Sequence, residues 1–286
     1  MKTVFAIGKI LGVFVWTLIL LPAHLFGLAF QTPLRERIPV RYHNGLGRIL
    51  GLHIEASGSR FTGVEPVLYV ANHSSWLDIV VLSCVIPGSF VSKAEVQNWP
   101  IFGLLARLQR SIFIERRAKL AANHRDEISD RLGAGDKLIL FPEGTSSDGN
   151  RVLPFKSALF AVAERSFGGV PLMVQPVSVA YTKLDHMPIG RHHRPLLTWY
   201  GDMALGGHLW RMLGLGPSTV SVTFHAPISI AEHKNRKALA NYCQKVVAMG
   251  LSNALTGRNG LEAEADDRVS IYSRKESGTQ PMPVGS

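Results

Sequence analysis

"PVLYVANHSSWLDIVVLSCVI", residues 66–86, is the stretch whose reading decides the fold. Its first six residues, 66–71, form a short apolar run rich in valine, the pattern of a buried strand. From residue 75 to 86 the apolar character continues past ordinary strand length and predicts a helix. Between them lies the polar turn Asn72-His73-Ser74-Ser75. Either serine is suited to cap the exposed amides of the helix that follows.

The same alternation extends outward. Strands are predicted at 89–93, 111–115, 137–141, 172–181 and 218–225, with helices at 100–109, 117–133, 154–167 and 231–255. Short apolar runs alternating with helical stretches predict an α/β fold, a mixed and mostly buried sheet with flanking helices. Three regions follow: a membrane-anchoring helical segment at 1–54, the α/β domain at 55–257, and a tail at 258–286. The tail ends in "SRKESGTQPMPVGS", which is too polar to bury a core and reads as disordered.

The N-terminal region constrains the surroundings. Residues 10–30, "ILGVFVWTLILLPAHLFGLAF", carry no formal charge. As a helix they reach about 30 Å, the thickness of a bilayer's hydrocarbon core. Pro22 and His24 interrupt the run, so a bent helix lying partly in the membrane is the alternative to a span. Residues 31–54 are basic and partly amphipathic, a second interfacial segment. The chain of 286 residues carries a formal net charge of +10, which calls for an acidic partner. Anionic lipid fits that charge. Nucleic acid does not, because no recognition motif for it is present. Cys84 and Cys243 sit in apolar surroundings and read as reduced core residues, consistent with a domain on the cytoplasmic side. No spacing of histidines, cysteines and acids suggests a metal site, and no GxSxG elbow suggests a serine nucleophile.

Two stretches carry chemistry. Within one continuous helix His73 and Asp78 would point about 140° apart. With His73 just before the helix, it can fold back so that Asp78 holds one ring nitrogen and the other faces a cleft, the arrangement of a general base. A plainer reading stands beside it: Ser75-x-x-Asp78 fits a capping box, with Asp78 serving only backbone amides. The second stretch is "LILFPEGTSSDG", residues 138–149. Glu143 follows a buried strand at its carboxyl end, where open α/β sheets bind ligands. Gly144 permits close backbone approach and Thr145 offers a hydroxyl, although an ordinary turn would use the same residues.

Together these blocks resemble the glycerolipid acyltransferase family typified by 1-acylglycerol-3-phosphate acyltransferase. "NHSSWLD" matches its His-x4-Asp block, and "SKAEVQNWPIFG" its lysine block, with Lys93, Glu95, Pro100 and Gly103. "SIFIERR" matches the arginine block with Arg116, "FPEGTSS" the glutamate block with Glu143, Gly144 and Thr145, and "VQPVSVAY" the final strand. The resemblance implies transfer of a fatty acyl group from an acyl thioester, on acyl-carrier protein or CoA, to a lysolipid hydroxyl, with no other cofactor. It implies His73 as base, Asp78 as its partner, and Lys93, Arg116, Glu143, Gly144 and Thr145 around the acceptor. It also implies a bacterial inner-membrane location with the site facing the cytoplasm. Two departures bear on the acceptor: Ser146 stands where the family usually has arginine, and Arg110 where it has glycine. Arginine forks read phosphomonoesters, so one such reader is missing, and Arg110, Arg116, Arg117 and Lys156 are the cations left to compensate. "FPEGTSSDGNRVLPFKSALF" and "WYGDM" resemble a subgroup that includes bacterial lyso-ornithine lipid O-acyltransferases. Lyso-ornithine lipid is therefore the expected acceptor, lysophosphatidic acid the alternative. A lipid- or carrier-binding protein without catalysis and a thioesterase are the rivals from other classes.

Overall fold

The computed structural model describes residues 2–114 and 121–258. A strand covered on both faces must be apolar on both, and residues 67–71 are. Val67–Ala71 forms strand β2, every residue of it buried. Around it lie β1 (Leu52–Ser57), β3 (Ser89–Lys93), β4 (Ile112–Ile114), β5 (Leu138–Leu140), β6 (Met173–Leu184) and β7 (Ser218–Phe224). Among the described residues they hydrogen-bond in the order β1-β7-β6-β2-β5-β3-β4. β6, β2, β5, β3 and β4 run parallel, whereas β7 is antiparallel to β6 and parallel to edge strand β1. The sheet is thus mixed, as expected.

The two-residue period of a strand sends neighbouring side chains to opposite faces. Val67, Tyr69 and Ala71 enter one core cluster with Val81 and Leu82. Leu68 and Val70 enter the other with Leu239 and Val247. The helices on these faces are α2 (Leu34–Leu50), α3 (Leu77–Val85) and α7 (Arg236–Thr256), with α4 (Phe102–Leu108), α5 (Ala121–Gly133) and α6 (Leu205–Leu213) completing the set. Cys243 is buried, Cys84 is half-buried, and both are free thiols.

Three readings differ from the structure. Residues 154–167 hold a 3-10 helix, Ser157–Glu164, and not an α-helix. The reason lies upstream, where the amides of Leu153 and Lys156 are already given to Glu143 and to the carbonyl of Pro142. α6 has no clear helical pattern in the sequence, because Gly206 and Gly207 dilute it. It forms by burying His208, Met212 and Leu213. β1 carries an edge strand's exposed polar residues, and the sequence boundary at 54/55 falls inside it.

Helix α1 (Lys2–Ala29) runs without a break through Pro22. It is long and apolar enough to cross a membrane, and little of it is buried. It lies against α2: Trp16 Nε1 donates to Tyr42 O at 3.0 Å. Lys9 Nζ donates to the carbonyls of Leu50 and Leu215, and His24 Nε2 to that of Leu108. Gly45 makes the packing possible, since a Cβ there would sit 2.2 Å from the Trp16 ring. Val4, Leu11, Leu18 and Leu25 are among the large apolar residues left exposed on the outer side.

Candidate functional site

Parallel strands end at one edge, so the turns after β2, β5 and β3 meet there. Leaving β2, Asn72 uses both ends of its amide on Val179 of β6, giving Nδ2 to its carbonyl and taking its amide. That clamp holds the turn, and His73 follows it. α3 starts two residues later than the sequence suggests, with Trp76 as its cap residue. His73 therefore lies outside the helix and folds back to Asp78, with Nδ1 to Oδ2 at 2.9 Å.

Asp78 is fully buried. Its Oδ2 also accepts from the amides of Ser74 at 2.7 Å and Ser75 at 2.9 Å, and its Oδ1 from the Tyr181 hydroxyl at 2.7 Å. Both sequence readings are thus realised in one carboxylate, which serves backbone amides and the imidazole together. With amide and hydroxyl donors already turned toward it, Asp78 acts as an acceptor. Nδ1 is then the ring nitrogen that donates to Asp78, and in the neutral ring Nε2 keeps its lone pair. The imidazole stacks on Phe141, ring centroids 4.1 Å apart.

Glu143 is not where its expected role would put it. Its carboxylate is buried behind the loop and does not line the cavity. Oε1 accepts from the amide of His73 at 2.9 Å and Oε2 from that of Leu153 at 3.0 Å. Burial pushes its carboxyl up to about 8, against the pull of those two amides. With Ser147 N donating to His73 O at 2.8 Å, the turn after β5 is sewn to the turn after β2. Glu143 thus holds the backbone of His73 and stays off the cavity wall. Gly144 takes φ +66°, a left-handed backbone that suits glycine.

A cavity of about 530 Å³ opens in front of this edge. His73, Lys93, Gly144, Thr145 and Ser146 line it, and α1 and α2 close it with Leu20, Leu21, Tyr42 and Leu46. Four of the expected residues therefore share one wall, while Asp78 and Glu143 stand behind it. Arg116 lies outside the described residues. Arg110 is turned away from the cavity and bound to Asp136 at 2.7 Å. Tyr181 is not legible as a site residue in sequence, because only the pairing of β6 with β2 brings it to the turn, and the same pairing gives Asn72 its partner Val179.

The acyltransferase family model matches residues 53–180. The chain is 43% identical over 251 residues to the lyso-ornithine lipid O-acyltransferase of Brucella abortus (strain 2308), covering 86% of this chain and 94% of that protein. To the enzyme of the same name from Rhizobium meliloti (strain 1021) it is 39% identical, covering 87% of each. The crystal structure of the 1-acyl-sn-glycerophosphate (LPA) acyltransferase PlsC from Thermotoga maritima superposes with a TM-score of 0.64 at 20% identity, covering 88% of this chain and 97% of that one. That likeness concerns the fold. Identity at this level over most of both chains shows the family: the chain belongs to the acyltransferase family and is an acyltransferase.

Proposed function

We propose that this protein moves a fatty acyl group from an acyl thioester, on acyl-carrier protein or CoA, to the free hydroxyl of lyso-ornithine lipid. The observation that carries the reading is the His73–Asp78 pair facing an apolar cavity. Nε2 takes the proton of the lipid hydroxyl as its oxygen attacks the thioester carbonyl. The carbon–sulfur bond then breaks, and the imidazolium returns that proton to the departing thiolate. Asp78 keeps Nδ1 protonated and favours the cation that forms at mid-reaction. The acceptor's chains fit the wall built by α1 and α2, and Lys93 and Thr145 stand beside the reacting hydroxyl.

The names of the relatives favour lyso-ornithine lipid over lysophosphatidic acid, and so do the side chains. Lys93 is the one lysine or arginine on the cavity wall among the described residues. Ser146 replaces the family's arginine, and Arg110 is engaged elsewhere. A carboxylate head group asks for less positive charge than a phosphomonoester does.

The site belongs, on this reading, at the cytoplasmic face of a bacterial inner membrane. Lys9 and His24 both touch the domain, and the helix between them covers roughly 22 Å. α1 therefore runs along the domain and not away from it, with its exposed apolar stripe in one leaflet.

The deciding experiment gives the purified protein acyl-carrier protein or CoA thioesters with each lysolipid. Ornithine lipid is the expected product, and His73→Ala lowers kcat by about 10²–10⁴. Phosphatidic acid as the faster product would reassign the acceptor. Wild-type turnover in His73→Ala would remove the base mechanism.

A further inference from the structure

Past Ser147 the loop after β5 leaves the apolar cavity and borders a second hollow, of about 380 Å³, lined by Asp148, Asn150, Arg151, Arg191 and Arg194. Nothing in the mechanism above uses it. Three guanidiniums share this hollow, and Asp148 is the one acid on its wall among the described residues. The Asp148 carboxylate already accepts from the amide and the Nδ2 of Asn150, each at 3.0 Å. Arg194 gives one nitrogen to Asn150 Oδ1, while its Nε is shielded from solvent with no hydrogen-bond partner. Arg151 and Arg191 are exposed. Asp148 offsets part of the charge of the three guanidiniums, which still outnumber it on this wall, and the guanidinium fork is shaped for phosphate oxygens.

The hollow is tied to the reacting groups. Thr198, four residues after Arg194, shares its one hydroxyl hydrogen between the carbonyls of Arg194 at 3.3 Å and Asp148 at 3.4 Å, and Trp199 N donates to Ser74 O at 2.8 Å. A Cβ on Gly149 would meet Thr198 at 2.7 Å and Ser74 at 3.7 Å, so the loop lies directly on the turn that holds His73. One end of the loop lines the lipid cavity and the other lines the basic hollow. No residue of α1, α2 or α4 borders the hollow, and none of its five lining residues lines the apolar cavity.

We propose that this hollow is the acyl donor's phosphate site, taking the phosphate of a phosphopantetheine arm whose thioester lies at His73. The proposal rests on the acyltransferase reading above. The acceptor reaches His73 from the membrane-facing cavity, and the water-borne donor needs a separate polar approach. Arg151, Arg191 and Arg194 provide one, and the arm's phosphate is common to CoA and acyl-carrier protein.

The test uses the full chain in lipid nanodiscs with lysolipid. Acyl-phosphopantetheine is compared with acyl-pantetheine, which lacks the phosphate, and with acyl-CoA and acyl-carrier protein. The wild type is expected to favour the phosphorylated arm about tenfold in kcat/KM. The doubly substituted Arg151→Gln/Arg191→Gln protein, altered only at exposed positions, is expected to lose that preference with its lysolipid KM and thermal midpoint unchanged. An intact preference in the variant overturns the proposal. So does a raised lysolipid KM with the donor preference kept, which would make this a head-group site. A defect confined to acyl-carrier protein also overturns it, pointing to the carrier's acidic surface. A wild type that transfers from no thioester would instead bring down the acyltransferase reading itself.

Discussion

At the residue scale, the orientation of His73 is defined by what surrounds Asp78. Asp78 takes donors from Ser74, Ser75, His73 and Tyr181, and the last of these is invisible in sequence. Tyr181→Phe leaves Oδ1 buried without a donor. It is expected to cost about 1–3 kcal/mol of stability and to lower kcat with little change in KM. In the double variant with His73→Ala the activity loss is expected not to add, because both changes act through one imidazole. Glu143 gives a second outcome at this scale. With its folded pKa near 8 and an ordinary value of 4.5, the folded protein holds the proton more tightly than the unfolded chain. Its contribution to stability is therefore full below pH 4.5 and lost as pH rises through about 8. Burial lowers His43 and His225 from 6.5 to about 4, so their contributions run the opposite way, present above 6.5 and lost as pH falls toward 4. The window from 6.5 to 8 thus reports on Glu143. Thermal midpoints are expected to fall with pH there in the wild type and to stay flatter in Glu143→Gln.

At the element scale, the site is two turns stitched together at the ends of adjacent parallel strands. β2 and β5 pair directly, so His73 and Glu143, seventy residues apart, meet through one hydrogen bond. The turn after β5 needs Gly144 at φ +66°. A Cβ there would lie 2.6 Å from Lys156 Nζ, the movable end of a flexible chain, so backbone strain sets the cost. Gly144→Asn is expected to keep most activity, since asparagine tolerates the left-handed region. Gly144→Val is expected to lose about 1–2 kcal/mol or more and most turnover, read by thermal melts and initial rates. Sequence reading located most of these elements well because parallel strands buried on both faces are short apolar runs. It failed at 154–167, where a helical pattern yields to hydrogen bonds made with the preceding loop, and at α6, where glycines mask a helix supported by tertiary burial.

At the scale of the whole molecule, the apolar cavity exists because α1 and α2 fold back over the sheet's carboxyl edge. Lys9 is bound to the carbonyls of Leu50 and Leu215, so the start of α1 stays with the domain. Single cysteines at Thr3 and at exposed Gly63, with Cys84 and Cys243 replaced by serine, are expected to react with an impermeant maleimide from the same side of sealed membrane vesicles. Labelling from opposite sides would make α1 a true span.

The amino-acid sequence alone determined the α/β class, the apolar N-terminal helix and the residue types needed for proton transfer, because hydrophobic period and local turn chemistry are properties of neighbouring residues. Only the tertiary structure decided what those residues do. It withdrew Glu143 behind the loop, brought Tyr181 to Asp78, turned Arg110 away and laid α1 along the domain. Each depends on which strands pair and how helices pack over them, and contacts between residues far apart in the chain leave no local pattern to read.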